Sequence, residues 1–361
     1  ACGAAGRLPP PRPPPSRKPM CGLCGVLRSR ETPARRRRRV EAMTRALAHR
    51  GPDAEVYFED EEITIGFRRL AVIDLVSGDQ PLVMPETGAV IALNGEVYNF
   101  RELRTELETE QQFRTRGDAE VALRLLVTRG MAALPRLDGM FAFALWEPHR
   151  RTLHLARDRF GIKPLYVWQE GETIAFASEV GALLAGGFPS ERRLDRLALR
   201  HLLDQKYLPP ERAIVEGVRS LRPATVLEVT PGTVRSFEYW RPPPRAVRVA
   251  ARPAVAEVAA RLAAAVARQL VADVPVGVFL SGGVDSSVVA VLARQAAGRP
   301  LEAFTVSFND AGLDEAPAAR RAAARAGCRH HVLAIDPREV AGDIERLAVS
   351  LDSPLGDATA I

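Results

Sequence analysis

Lysine is almost missing from this chain of 361 residues: it occurs only at Lys18, Lys163 and Lys206, so the basic charge is nearly all arginine. Aromatic residues are few as well, 6% of the total, and none interrupts the run Arg35 to Arg39. A nucleic-acid site needs stacking platforms beside its cations, so the run reads as the solvated face of a surface helix. No apolar stretch approaches the roughly 18 residues of a membrane span, and the start has no hydrophobic signal region. The expectation is a cytoplasmic protein with no nucleic acid and no membrane among its partners. Cysteine is scarce and scattered, at Cys2, Cys21, Cys24 and Cys328, which makes no disulfide framework. Cys21-Gly-Leu-Cys24 has redox spacing, but a strand-like Cys24-Gly-Val-Leu follows where a redox motif needs a helix. A zinc site would need a second ligand pair, and only Cys328 with His330 and His331 offers one, far along the chain.

What is present is enough for two domains, each with its own core. The apolar fraction of 47% and the charged fraction of 26% are those of an ordinary globular chain, with a net charge of +6. Residues 1–20 are rich in Pro and Arg, favour polyproline II, and are expected to be a disordered leader that is not native. The chain begins with Ala and ends without a terminating feature, so it reads as a fragment, with Met20 as a candidate start. From Met20 to about residue 180, short alternating runs predict strands at 63–67, 90–95, 141–146, 152–156 and 173–178. Helical patterns lie at Arg101 to Leu107 and Ala119 to Leu126, which together suggest a layered α+β domain. The stretch 240–254 is a composition break and reads as a linker. Beyond it come a helix (Val255 to Leu270), a buried strand (274–280), a glycine loop, a helix (Ser286 to Ala297) and strands at 303–308 and 331–335. That alternation predicts a parallel α/β sheet.

The loop Ser281-Gly-Gly-Val-Asp-Ser-Ser287 joins the first of those strands to its helix. Glycines admit an anion close to backbone N–H groups, hydroxyls add donors, and a helix N-terminus favours negative charge. It lacks the Gly-Lys-Ser/Thr of a Walker A loop, and taken alone it could be a glycine turn with serine caps. The whole string resembles the pyrophosphate loop of ATP pyrophosphatases. That resemblance implies that Ser281, Gly282, Gly283, Asp285 and Ser286 cradle the pyrophosphate and its magnesium, with Asp285 facing the metal. It also implies that backbone near Phe279 and Val306 meets the adenine of ATP.

Upstream, Met20-Cys21-Gly22 is followed by His49-Arg-Gly-Pro-Asp53, Arg69-Leu70, Asn94-Gly-Glu-Val-Tyr-Asn99 and Gly117-Asp118. Asp138-Gly-Met-Phe-Ala-Phe143 and Arg157-Asp-Arg-Phe-Gly-Ile-Lys-Pro-Leu-Tyr166 come next. Order and spacing resemble the class II glutamine amidotransferases over residues 20 to about 180. With the pyrophosphate loop downstream, the combination resembles the glutamine-hydrolysing asparagine synthetases. The resemblance implies an N-terminal Ntn-hydrolase four-layer αββα sandwich over 21–240, then the start of a parallel-sheet PP-loop domain over 241–361.

It also implies that Cys21 is the nucleophile and that its own free α-amino group is the base. Asn94 and Gly95 would bind the oxyanion, Arg69 the glutamine α-carboxylate, and Glu96 and Asp118 the α-ammonium. Singly, Arg69 could be a surface ion pair, Asn94-Gly95 a hairpin turn, and Asp118 a helix N-cap. The implied enzyme is an ATP-dependent carbon–nitrogen ligase with glutamine as nitrogen donor, whose substrates are glutamine, aspartate and ATP with Mg2+. A homodimer is implied by resemblance only. A sibling acting on another carboxylate, in a peptide or a polysaccharide, stays open, as does an inactive fragment that binds partners through its leader.

Three departures matter. Twenty residues precede Cys21 as written, so its nitrogen is an amide until they are removed. Arg116 stands before Gly117 where the family pattern has Gly-Ser or Gly-Thr around Asp118. The acidic Ser-Gly-Glu-Gly-type loop and the adenylate-handling lysine of the synthetase domain are not in the sequence, so this piece is not expected to complete amide synthesis.

Overall fold

The computed structural model describes residues 20–244, 251–308, 314–335 and 351–354. The Pro/Arg leader therefore lies outside the described residues, Met20 excepted. The first part of the chain runs β1 (Gly22–Leu27), α1 (Pro33–Ala46), β2 (Ala54–Glu59), β3 (Ile63–Arg69), β4 (Leu82–Val83), β5 (Val90–Val97), α2 (Phe100–Leu107) and α3 (Asp118–Arg129). It continues with β6 (Gly139–Glu147), β7 (Thr152–Arg157), β8 (Tyr166–Glu170), β9 (Thr173–Ala177), α4 (Val180–Ala185), α5 (Arg196–Gln205), β10 (Val218–Ser220), β11 (Thr225–Thr230) and β12 (Thr233–Glu238).

Twelve of these strands form two six-stranded sheets, ordered β10-β8-β9-β1-β3-β2 and β12-β11-β7-β6-β5-β4. All their pairings are antiparallel. Side chains alternate across a strand, so each sheet presents two apolar faces. Leu23, Leu27, Ile65 and Phe67 from one sheet meet Val90, Ala92, Ala142, Ala144 and Trp146 from the other, making the middle layer. Ile91, Leu93, Phe141 and Phe143 face outward onto α2 and α3. Cys24, Val26, Ala175 and Ala177 face the other way onto α1 and α4. The result is the αββα sandwich expected. The α3 helix is buried along Asp118 to Leu126, which is why its sequence shows apolar residues on every side.

Two expectations need correction here. The arginine run is not simply a solvated face. Arg36 is 2% exposed, donating from Nε to Thr64 Oγ1 at 2.9 Å and from Nη1 to the Glu61 carbonyl at 2.8 Å. Arg37 and Arg39 lie over the rings of Tyr57 and Phe188 at 3.8 and 3.6 Å, so three of the five guanidinium groups pack the helix down. The linker also ends earlier than 254, because α6 (Ala251–Arg268) begins inside it.

The second part continues with β13 (Gly277–Phe279), α7 (Val284–Ala297), β14 (Glu302–Phe308), α8 (Ala316–Ala326) and β15 (Arg329–Ile335). The three strands are parallel in the order β13-β14-β15. A small core of Leu280, Ala290, Ala303, Ala319, Ala323 and Ala326 lies under α7 and α8. The strand predicted as buried over 274–280 is shorter and open on one face, with Phe279 84% exposed. The reason is that β13 is an edge strand and, among the described residues, the face carrying Phe279, Val306 and Leu333 has no layer upon it.

Candidate active site

Cys21 precedes β1, and the period of two puts it on the side of Leu23, packed against the middle layer. Cys24 faces α1 on the opposite side of the strand, so the two cannot pair, and both thiols are free. The Cys21 sulfur accepts from the Leu70 N–H at 3.3 Å and donates to the Leu70 carbonyl at 3.5 Å. Its carbonyl accepts from Arg50 Nε at 3.0 Å, and Arg50 is held in turn by Glu179 at 3.0 Å. Burial pushes the Cys21 thiol up to about 11, only partly offset by the Leu70 N–H. A thiol so placed is a poor nucleophile by itself and needs a base within reach.

Asn94 and Gly95 are not a turn. They lie inside β5, opposite Ala142 and Phe141 of β6. Asn94 follows Val90 and Ala92 on the inter-sheet face, is wholly buried, and neither its Oδ1 nor its Nδ2 has a hydrogen-bond partner. A buried amide left unpaired costs about 1–3 kcal/mol, so such a group implies a bound partner or a strain tolerated for function. Gly95 has φ +133°, and a Cβ there would stand 2.0 Å from the Met140 carbonyl oxygen, so only glycine fits.

Arg69 ends β3 and is 6% exposed, not a surface pair. It donates to Asp79 Oδ1 at 2.7 Å, to the Ile73 carbonyl at 3.4 Å and to the Asp74 carbonyl. The Asp79 side chain is 59% exposed, which makes it the partner an incoming carboxylate can displace. Asp118 is the first residue of α3, whose N-cap is Gly117, so the capping reading moves by one residue. Its carboxylate accepts from the Val97 N–H at 2.7 Å. Burial raises both Glu96 and Asp118 above the ordinary carboxylate range. The charge of Asp118 raises Glu96 further, whereas the N–H of Val97 and the hydrogen bond from Glu96 draw Asp118 back down.

The predicted residues of this first site are thus brought together. Cys21, Arg69, Gly95, Glu96, Thr115 and Asp118 line a narrow cavity of about 20 Å³. Cys21, Asn94, Gly95 and Glu96 also border a second cavity of about 310 Å³, lined as well by Gln269, Val271 and Val274 to Val276. A more voluminous groove, about 1240 Å³ around Arg193 to Leu199, holds none of these groups.

Sequence reasoning missed several participants. Leu70 acts through its backbone N–H and carbonyl, for which a sequence carries no signal, while Arg50, legible in the string 49–53, acts through its guanidinium. Lys163 was legible as a residue of the string 157–166 but received no role. It is 7% exposed, its Nζ lies 3.2 Å from Met20 Sδ, and burial lowers its pKa against the pull of Glu96. Asp158 fixes its loop by accepting from the N–H groups of Phe160, Ile162 and Lys163 at 3.0 Å each. Arg157 binds the Lys163 carbonyl at 2.7 Å from the other side.

The second predicted site lies between β13 and α7. Ser281 and Ser286 share a hydroxyl contact at 3.0 Å, and the Ser281 N–H points to Ser286 Oγ at 3.3 Å. Gly283 is the N-cap of α7 with no side-chain cap, so the first-turn N–H groups face outward. Gly282 has φ +81°, and a Cβ there would stand 2.6 Å from the Ala319 nitrogen. Asp285 is exposed in the first turn. Phe279 and Val306 lie on the open face of the sheet, 84% and 41% exposed. Among the described residues, no group of three or more His, Cys, Asp or Glu could hold a metal ion. Among the described residues, no helix is long and apolar enough to cross a membrane.

Comparison with known proteins adds the following. The model of the family described as a glutamine amidotransferase domain matches residues 20–240, and that of asparagine synthase matches 257–361. The chain is 34% identical over 346 residues to asparagine synthetase [glutamine-hydrolyzing] 1 of Bacillus subtilis, covering 95% of this chain and 54% of the relative. It is 31% identical to asparagine synthetase [glutamine-hydrolyzing] 3 of the same organism, covering 93% and 57%. It is 33% identical to a protein of Gibberella zeae named amidase chry2, covering 86% and 49%. The chain spans about half the length of these curated relatives.

Proposed function

The chain belongs to the glutamine amidotransferase domain family, and from that premise we propose that it carries a cysteine glutaminase over 21–240 joined to the opening of an ATP-dependent synthetase over 241–361. The observation that supports this best is Asn94: a fully buried amide with no partner, bordering the same cavity as the Cys21 thiol. Once the residues before Cys21 are gone, its α-amino group, with an ordinary pKa near 8, takes the thiol proton. The thiolate attacks the side-chain amide carbon of glutamine, and the C–O pair becomes an oxyanion received by Asn94 Nδ2 and the Gly95 N–H. Collapse expels ammonia, which carries off the transferred proton, and leaves a thioester on Cys21. Water then releases glutamate by the reverse proton path. Arg69 would exchange Asp79 for the substrate α-carboxylate, while the Glu96–Asp118 pair, losing its proton, would take the α-ammonium.

In the whole protein the ammonia is used at the second site. ATP bound over Ser281 to Ser286 adenylates a carboxylate, aspartate by the likeness to the synthetases, with release of pyrophosphate, and ammonia displaces AMP, losing a proton, to give the amide. Magnesium would neutralise phosphate charge there, with Asp285 as one oxygen ligand. The likeness to a protein named amidase chry2 favours a second reading, in which another carboxylate is the acceptor. The test is the full-length protein with Cys21 as first residue, given amide-labelled glutamine, Mg-ATP and aspartate. Labelled asparagine with AMP is the expected result. Labelled ammonia and glutamate without asparagine would remove aspartate as acceptor, and no glutamate at all would remove the glutaminase.

A further inference from the structure

Arg69 is gripped by the carbonyls of Ile73 and Asp74, so its aim depends on the short segment 72–74. That segment is not relaxed. Asp74 has φ +53°, in the left-handed region that non-glycine residues enter at a cost. Its carboxylate is consumed locally: Oδ1 accepts from the Ser77 N–H at 2.9 Å, and Oδ2 from the Ser77 hydroxyl at 2.6 Å and the Arg116 N–H at 2.7 Å. The backbone N–H of this buried residue is satisfied from far away. It donates to Asp273 Oδ2 at 2.7 Å, and the Asp273 N–H donates back to the Val72 carbonyl at 2.9 Å. Asp273 thus clamps 72–74 by a reciprocal pair of bonds across some 200 residues of sequence. It belongs to the second part of the chain, just before β13 and the Ser281 loop.

We propose that Asp273 is a positioning residue for glutamine: from the synthetase side of the chain it holds Val72 to Asp74, and so Arg69, in the geometry that receives the α-carboxylate. The inference rests on the reading of Arg69 as the carboxylate-binding residue. The glutamine site is then incomplete without the segment after α6. Because binding couplings are reciprocal, a ligand that moves this segment from the second site changes glutamine affinity by the same factor in return.

The experiment is glutamate release by the full-length protein with Cys21 as first residue, for the parent, Asp273→Ala and Asp273→Asn, with amide exchange at Asp74 followed in parallel. Loss of one such bond at an exposed acceptor corresponds to about a fivefold change. Asp273→Ala should therefore raise the KM for glutamine about fivefold with kcat within twofold, and speed exchange at Asp74. Asp273→Asn keeps an acceptor oxygen and should restore most of the affinity. An unchanged KM in Asp273→Ala overturns the proposal even if the parent is fully active. A kcat loss without a KM change overturns it too, since it would assign Asp273 to the chemistry or to general stability. A parent that releases no glutamate removes the glutaminase reading itself, and this inference with it.

Discussion

Asn94→Ala separates a catalytic from a structural reading of the least explained group in the molecule. Asn94 is 0% exposed and both its polar side-chain atoms lack partners. Its burial alone costs about 1–3 kcal/mol, which truncation to Ala would return, against a cavity loss of similar size. Stability should therefore change by less than about 1 kcal/mol, a small shift in Tm. If its Nδ2 donates to the oxyanion, removing that donor should lower kcat by about a hundred- to a thousandfold, or ~2.7–4 kcal/mol. The KM for glutamine should stay within a few-fold, because the bond is made in the transition state rather than with the bound amide. The assay is initial-rate glutamate release from the enzyme with Cys21 at its N-terminus, with thermal unfolding on the same samples. A kcat loss below about tenfold, or a large fall in Tm, would refute the reasoning.

Arg69→Lys replaces a planar fork by a point charge and should raise the KM for glutamine about thirtyfold, ~2 kcal/mol, with a smaller effect on kcat; an unchanged KM would reassign the substrate carboxylate. The Glu96–Asp118 pair has its folded pKa values raised by burial. The stability it contributes is thus complete below the unfolded carboxylate range and lost as pH rises through the folded values. Binding the α-ammonium requires that proton to leave, so the glutamine KM should fall as pH rises from about 6 to about 8. Calorimetry in two buffers should register the released proton, and Glu96→Gln should abolish both effects. Gly282→Ala forces a Cβ to within 2.6 Å of the Ala319 nitrogen at φ +81°. It should suppress ATP–pyrophosphate exchange in the full-length protein while leaving glutamate release intact, and equal loss of both would mean global unfolding instead.

The sequence by itself determined the element types and the chemical inventory of both sites. Alternation along 90–95 and 141–146 marks strands because the side-chain period is two, and the structure extends them to Val90–Val97 and Gly139–Glu147. The glycine loop before α7 was legible because its conformation needs residues without a Cβ. Tertiary structure alone decided which alternatives survived. Asn94-Gly95 has the composition of a hairpin turn, and only its pairing with β6 removes that reading. Arg36 has the composition of a surface residue, and only the neighbouring Thr64 and the carbonyls of Asp60 and Glu61 bury it. Leu70 meets the Cys21 sulfur through its backbone N–H, and the groups that Asp273 clamps, some 200 residues away, are the backbone N–H of Asp74 and the carbonyl of Val72. Every residue possesses those backbone groups, so no side-chain pattern announces which pairs will meet; chain packing settles it.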